Sequence, residues 1–243
     1  MFRTLFSLLF SFLLCFWSSL ASATTLHVSV FDLHPFGSRD AEGRGVGIIP
    51  EILQEISQET GLDLNVRVVP YKRMFFELET GDTDFAIFFR TTRSEQIATP
   101  KVRVYTLRNI VVGKRGIDLL AYNDLYRHTI SVPRGTFYQE KFDNDPVLKK
   151  TLVPGFSNAV NQLLEDRAEL VAGPEISIVY HLRNLGLSKD ILGQSLFLSN
   201  RSAWLQVSER SKNLTPETLQ ILVDTVNKLH QNKIIENIMK KYN

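Results

Sequence analysis

Three arginines, Arg73, Arg90 and Arg93, lie near the ends of the second and third strands that the sequence predicts. A guanidinium presents a fixed fork of N–H donors that matches a carboxylate in a two-point contact, which a lysine ammonium does not. One arginine alone is typical of a solvated surface, but three near one rim predict a site for an anion. Thr91, between them, could add a hydroxyl and a backbone N–H, or act only as a turn or helix cap.

Two aromatic residues follow the first and second predicted strands. At these positions Phe36 and Tyr71 could enclose the apolar part of a small molecule. Ordinary core packing is the alternative for both rings. The sequence therefore predicts apolar as well as ionic contacts beside the arginines.

A turn in the later half of the chain carries a second candidate for anion binding. Arg134-Gly135-Thr136 follows a β-rich run and is expected to open a helix. Gly135 would let the backbone approach a ligand, and free N–H groups at the helix start would favour an anion, although structural turn glycines are also common. Glu175, after a later strand, could hold a ligand amine or merely complement the dipole of the helix that follows.

The elements that position these residues alternate between strand and helix. Strands are predicted at 26–31, 65–69 and 85–89, and amphipathic helices at 46–60 and 71–79. This order is typical of a parallel sheet with helices on its faces.

The same alternation then begins again and predicts a second α/β lobe. Further strands are predicted at 110–112, 129–132, 152–153, 170–172 and 203–207, and further helices at 157–166, 176–185 and from Thr215. In open parallel sheets, small molecules bind beyond the carboxyl ends of the strands, where helix N-termini point their N–H groups. The candidate residues lie in loops of that kind.

The composition excludes several classes of protein. The 243 residues are 44% hydrophobic, so the chain can bury a substantial core. The 28 Lys+Arg against 26 Asp+Glu give a net charge of +2, which leaves no basic surplus for binding nucleic acid. Cys15 is the only cysteine, and none of the five histidines fits a metal-pair or hydrolase motif. We therefore expect neither a disulfide framework nor a metal site.

Residues 1–23 have the three-part layout of a cleavable signal peptide. Arg3 precedes an apolar run over 5–17, and Ala21-Ser22-Ala23 supplies the small residues of a cleavage site. A transmembrane anchor is the alternative, but a run of roughly 13 residues is too short to cross about 30 Å of hydrocarbon. The sequence predicts an exported, periplasmic protein whose mature chain begins near Thr24.

A series of short motifs, in order along the mature chain, resembles a known family. The motifs are Asp32-Leu33-His34-Pro35-Phe36, Val69-Pro70-Tyr71-Lys72-Arg73, Gly81-Asp82, Asp84-Phe85-Ala86, Arg90-Thr91-Thr92-Arg93-Ser94-Glu95 and Val132-Pro133-Arg134-Gly135-Thr136. Their order and spacing resemble those of the bacterial extracellular solute-binding proteins of family 3, the periplasmic receptors for polar amino acids and related small molecules.

The resemblance implies a type II periplasmic-binding-protein clamshell, in which each of two lobes is a central sheet flanked by helices. Lobe 1 is expected to comprise residues 24–106 and 201–243, and lobe 2 residues 107–200, with the ligand between them. The resemblance also implies a monomer that needs no cofactor. It would deliver its small-molecule ligand to the membrane permease of an ABC transporter, or present it to a membrane sensor. Asp32 joins the candidate ligand contacts, because its loop faces the expected cleft.

Two departures from the family pattern bear on the ligand. Amino-acid receptors of the family usually place an arginine beyond the third strand, where this spacing puts Ser94 or Gln96 and displaces Arg93. They also usually hold the ligand's α-ammonium with an aspartate, and Pro174 stands at that place. Because an unpaired ammonium in a dry cleft is costly, we expect a small anionic ligand such as an organic acid or an amino-acid derivative. A dehydratase-like enzyme is the rival, but paired carboxylates for acid–base catalysis are not evident, and we expect no enzymatic activity.

Overall fold

The computed structural model describes residues 25–243, and the predicted signal peptide lies outside these residues. The strands are β1 (Leu26–Phe31), β2 (Ser38–Arg39), β3 (Gly45–Val46), β4 (Leu64–Val69), β5 (Phe85–Phe89), β6 (Ala98–Gly113), β7 (Thr129–Pro133), β8 (Lys149–Val153), β9 (Leu170–Pro174) and β10 (Leu196–Ser208). The α-helices are α1 (Ile48–Thr60), α2 (Tyr71–Thr80), α3 (Glu140–Asn144), α4 (Phe156–Leu164), α5 (Glu175–Asn184), α6 (Pro216–Gln231) and α7 (Ile234–Lys241). Within residues 25–243, no helix combines the length and the apolarity that crossing a membrane requires.

Eight of the strands form one sheet in the order β4-β1-β5-β10-β6-β9-β7-β8. β1 is parallel to β4 and β5, and β7 is parallel to β8 and β9, so each half of the sheet contains a parallel unit. β10 runs antiparallel to both β5 and β6, and β6 runs antiparallel to β9. The predicted alternation of strand and helix is thus confirmed, and an antiparallel pair joins its two halves.

The linking strands β6 and β10 are the main difference from the sequence prediction. Only short strands were expected there, at 110–112 and 203–207, whereas β6 has 16 residues and β10 has 13. Their pairing continues from one half of the sheet into the other, with irregularities in register near Phe197, Ala203 and Leu205. The two halves are therefore joined by a continuous two-stranded ribbon.

Separate hydrophobic cores fill the two halves. The first core contains side chains from β1, β4 and β5 and from helices α1, α2, α6 and α7. The second half has an apolar cluster on each face of β9, with Leu170 in one cluster and Val171 in the other, because neighbouring strand residues point to opposite faces. We call these halves the first and the second lobe. The residue limits predicted for the lobes fall inside β6 and β10 and stay a prediction.

The ends of the helices follow from local backbone chemistry. α1 begins at Ile48, two residues later than predicted, because Gly47 has a φ of 120° that no helical residue adopts. It ends at Gly61, whose φ of 71° is the left-handed conformation that favours glycine. The helix predicted from Thr215 is α6, and Thr215 caps it, since the Thr215 hydroxyl accepts a hydrogen bond from the Thr218 N–H at 3.2 Å.

The motif around Asp84 holds the first lobe together. The Asp84 carboxylate is fully buried and accepts hydrogen bonds from the His27 N–H at 2.8 Å and the Ser211 hydroxyl at 2.7 Å. Gly81 lies so close to this segment that a Cβ atom would stand 2.4 Å from the Arg210 carbonyl oxygen. The motif thus fastens the start of β5 to the chain between β10 and α6.

Candidate ligand-binding site

A cleft of about 980 Å³ opens between the two lobes. Its first-lobe wall consists of residues from the segments that follow β1, β4 and β5, and its second-lobe wall of residues at the ends of β7, β8 and β9 and just after them. Leu107, Asn109 and Arg201, on the linking strands, complete the lining. The cleft thus lies at the carboxyl ends of the parallel strands, where the sequence places a ligand.

Most of the candidate residues line this cleft. Those that do so are Asp32, Phe36, Tyr71, Arg90, Thr91, Arg93, Arg134, Gly135 and Thr136. Arg73 and Glu175 do not belong to the lining, and the reason is an ion pair in each case.

Arg73 is engaged on the outer side of α2. Its Nε donates to the Glu77 Oε1 at 2.8 Å, one helical turn away, and its guanidinium lies over the Phe76 ring at 5.2 Å from the centroid. Glu77 is 1% exposed and also accepts hydrogen bonds from the Ser29 hydroxyl and the Arg67 guanidinium. Burial acts to raise the pKa of Glu77, but these partners outweigh it and hold the pKa below its ordinary value. The structure therefore corrects the placement of Arg73, which serves a buried carboxylate instead of a ligand.

Glu175 is turned away from the cleft as well. Its Oε2 accepts a hydrogen bond from the Arg108 Nη1 at 3.0 Å. Both side chains line a smaller pocket of about 180 Å³ beside the end of α7. The expectation that Glu175 holds a ligand amine is thus not met. Glu175 is the first residue of α5, and its carboxylate pairs with Arg108 of β6.

The three remaining predicted arginines of the cleft differ in their availability. Arg90 is paired with Glu95, to which its Nε and Nη2 donate at 3.0 and 2.7 Å. Arg93 lies over the Phe75 ring at 5.0 Å from the centroid. None of the ion pairs found within residues 25–243 involves Arg93 or Arg134. One unpaired guanidinium thus lies on each lobe.

Arg201 is the functional candidate that the sequence analysis missed. Its Nη1 donates to the Phe137 carbonyl at 2.8 Å, on the second lobe, and its Nη2 donates to the Arg90 carbonyl at 3.3 Å, on the first. The guanidinium also lies over the rings of Phe89 and Phe137, at 5.4 and 5.9 Å from their centroids. An isolated arginine in a predicted connection between lobes was the only signal in the sequence that could have indicated this role.

The two aromatic candidates, Phe36 and Tyr71, both pack against the first lobe and both present ring surface to the cleft. Phe36 is 1% exposed and stacks parallel to the Tyr105 ring at 6.1 Å, so it is a core residue with one surface on the cleft. Tyr71 is 43% exposed and packs edge-on against Phe31. Burial raises the pKa of the Tyr71 hydroxyl, while the positive charges of Arg201 and Arg93 oppose that rise. The ring of Tyr71 therefore lies within the field of both guanidinium groups.

The polar turns around the cleft are shaped by their own hydrogen bonds. Thr91 and Ser94 cap each other, since each backbone N–H donates to the other residue's hydroxyl, at 2.8 and 3.0 Å. The Thr136 hydroxyl donates to the Pro133 carbonyl at 2.6 Å. Gly135 has a φ of 78°, and the next helix, α3, begins only at Glu140. The prediction that Arg134-Gly135-Thr136 opens a helix is therefore wrong, because this left-handed turn leads into extended chain.

The charge of the cleft is unbalanced. Its basic side chains are Lys72, Arg90, Arg93, Arg134 and Arg201. Its acidic side chains within the described part of the chain are Asp32 and Glu95, and Glu95 is already held by Arg90. The cleft therefore favours a ligand of negative charge.

Two α/β lobes, a linking pair of strands and a cleft at the strand ends define a type II periplasmic-binding-protein clamshell. Residues 27–243 match the model of the bacterial extracellular solute-binding proteins, family 3, and the chain belongs to that family. A comparison with curated proteins gives no match.

Several solved structures share the fold. An ancestral cationic amino acid solute binding protein, AncCDT-1, has a TM-score of 0.75 and 15% identity, over 91% of this chain and 96% of its own. The periplasmic VFT2 domain of BvgS from Bordetella pertussis has a TM-score of 0.71 and 18% identity, over 92% and 95% of the two chains. The substrate binding protein of an amino acid ABC transporter has a TM-score of 0.65 and 20% identity, over 90% and 98%.

Proposed function

We propose that the protein is a periplasmic, monomeric solute-binding protein that captures a small anionic ligand between its lobes and delivers it to an ABC transporter. The observation that carries this proposal is the excess of basic side chains in the cleft, in which Arg93 on one lobe and Arg134 on the other have no carboxylate partner within residues 25–243. Family membership supports a binding role for the cleft.

In the proposed mechanism, the first lobe binds the ligand and the second lobe then closes over it. Arg93 would contact the anionic group, and the exposed ring of Tyr71 would cover the adjacent part of the ligand. Closure would bring Arg134 and the turn at Gly135 onto the same anionic group. Because the ligand adds contacts only in the closed form, it shifts the equilibrium between open and closed lobes toward closure.

Isothermal titration of the mature protein tests the charge of the ligand. The panel comprises organic acids, amino acids and cationic amino acids of similar size. We expect binding of at least one anionic compound and none of the cations. Tight binding of a cationic compound alone would refute the charge argument.

A sensory role is the second candidate. The folds of the BvgS VFT2 domain and of a histidine kinase sensor domain, with a TM-score of 0.69, resemble this chain as closely as that of the transporter protein does. Cross-linking of the ligand-bound protein in its native membrane separates the two roles. Capture of a permease supports delivery, and capture of a receptor kinase supports sensing.

We further propose that the cleft binds its ligand without converting it. General acid–base catalysis would need a pair of available carboxyl groups. The cleft offers Asp32 and Glu95, and Glu95 is already held in an ion pair with Arg90. Recovery of a bound ligand unchanged, by mass spectrometry after prolonged incubation with the protein, is the expected result. Stoichiometric or catalytic conversion of that ligand would contradict it.

A further inference from the structure

The second-lobe wall of the cleft is aromatic and cationic. It contains the rings of Phe137, Tyr138 and Phe156 together with three prolines, and Arg134 is its charged residue. Within residues 25–243, this wall has no Asp or Glu. An ammonium group pressed against it on closure would therefore lose its water without gaining a carboxylate.

The first-lobe wall offers little more to an ammonium. Its two acidic side chains are Asp32 and Glu95, and Glu95 receives two hydrogen bonds from Arg90. Among the residues that the structure describes, Asp32 alone is then left to balance a positive group, in a cleft that contains five basic side chains. A ligand with a free ammonium would meet more repulsion than attraction there.

Two arginines of the cleft lie on aromatic surfaces. Arg93 lies over Phe75, and Arg201 over both Phe89 and Phe137. Phe137 is nevertheless 52% exposed, so part of its ring surface is free to contact a ligand. A ligand that joins a carboxylate to a ring would pair with the guanidinium edge and cover the exposed aromatic surface in one binding event.

We propose that the ligand is an aromatic carboxylate without a free ammonium group. This inference rests on the proposed binding function and narrows it. The carboxylate binds the guanidinium groups of Arg93 and Arg134, and the ring packs between Tyr71 of the first lobe and Phe137 of the second. Asp32 remains hydrated at the edge of the cleft and takes no part in recognising the ligand.

Isothermal titration with four probes tests the inference. The probes are 3-phenylpropionate, L-phenylalanine, hexanoate and phenethylamine, which separate the effects of ring, carboxylate and ammonium. We expect 3-phenylpropionate to bind at least about tenfold more tightly than each of the others. Equal or tighter binding of hexanoate or L-phenylalanine overturns the inference but leaves a binding protein for acids. Binding of phenethylamine alone, or of none of the four, overturns the inference and counts against the proposed anionic ligand as well.

A pair of matched variants locates the ring. Phe137→Leu should weaken the binding of 3-phenylpropionate about fivefold and leave hexanoate unchanged, because the loss is of ring stacking and not of charge. Phe197→Leu is the control, since Phe197 is 49% exposed, also lies beneath an arginine, and is outside the cleft. Equal losses for both probes in Phe137→Leu, or an equal loss in the control, would overturn the placement of the ring.

Discussion

Replacing Arg93 by glutamine removes a positive charge from the cleft without removing a partner of any acidic side chain. Arg93 lies over Phe75, and none of the ion pairs within residues 25–243 includes it. A charge-assisted hydrogen bond to a ligand contributes about 1.5–3 kcal/mol. Because Arg93 is exposed to solvent, we take the lower part of this range, which corresponds to a loss of affinity of roughly ten- to thirtyfold.

The assay is isothermal titration of the variant with the anionic compound that binds the unaltered protein best. Arg115→Gln serves as the control, because Arg115 is exposed on the second lobe and lies outside the cleft. The thermal unfolding midpoint of Arg93→Gln should stay within about 2 °C of that of the unaltered protein, since a surface substitution changes stability by less than about 0.5 kcal/mol. Affinity for the anion that is unchanged in Arg93→Gln and in the control alike would refute the assignment of this residue.

We expect the opposite result for Arg73→Gln, in which stability falls and affinity does not. The substitution removes the Arg73 hydrogen bond and leaves the buried Glu77 carboxylate with its Ser29, Arg67 and Thr83 partners, so we expect a loss of about 1 kcal/mol of stability. The affinity for the ligand should not change, because Arg73 does not line the cleft. Chemical denaturation and titration of the same sample measure both quantities. A weakened affinity with unchanged stability would contradict this placement and indicate that Arg73 contacts the ligand.

Three further predictions concern stability and closure. Because the folded-state pKa of Glu77 is lowered, its charged form stabilises the protein fully above its ordinary pKa of 4.5, and this contribution is lost as the pH falls below that value. Urea denaturation should therefore show a stability difference between the unaltered protein and Glu77→Gln that shrinks from pH 6 to pH 3, and a constant difference would contradict it. Arg201→Lys should weaken ligand binding at least about fivefold, as seen by titration, because one ammonium nitrogen would replace the two separate guanidinium nitrogens that reach the carbonyls of the two lobes. Tyr180→Ala removes the contact of α5 with His34 of the first lobe, so small-angle scattering of the free protein should give a larger radius of gyration than that of the unaltered protein, and an equal radius would exclude a role in closure.

The sequence predicts local structure well where apolar spacing and end signals agree. The strands β1 and β5 have the predicted limits, and α1 ends at Thr60 as predicted. The full length of the linking strands was missed. In β6, Val102, Val104 and Leu107 alternate with the exposed Arg103, Thr106 and Arg108, which is a strand signal that the sequence contains. Which segment pairs with β6 was not readable, because the residues that pair across β6 and β10 lie about a hundred positions apart.

The candidate site shows the same division between local and distant information. The position of Arg73 one turn before Glu77 was readable in the sequence and would have indicated an ion pair within a helix. The pairing of Glu175 with Arg108 was not readable, since it depends on how β6 passes the start of α5. Arg201 was missed for the same reason, because its contacts with Phe137 and the Arg90 carbonyl exist only after both lobes are assembled.

The position of β10 in the sheet also determines the order in which the molecule can be completed. β5 obtains its second neighbour only from residues 203–207, and the first core needs side chains from α6 that follow still later. The second lobe, by contrast, takes β7, β8 and β9 from one uninterrupted stretch of 46 residues between Thr129 and Pro174. When the chain becomes available for folding from the amino terminus onward, the parallel strands of the second lobe can therefore pair before the first lobe is complete. The first lobe, which contains the amino-terminal strands, therefore stays incompletely folded until α6 and α7 are available to pack against it.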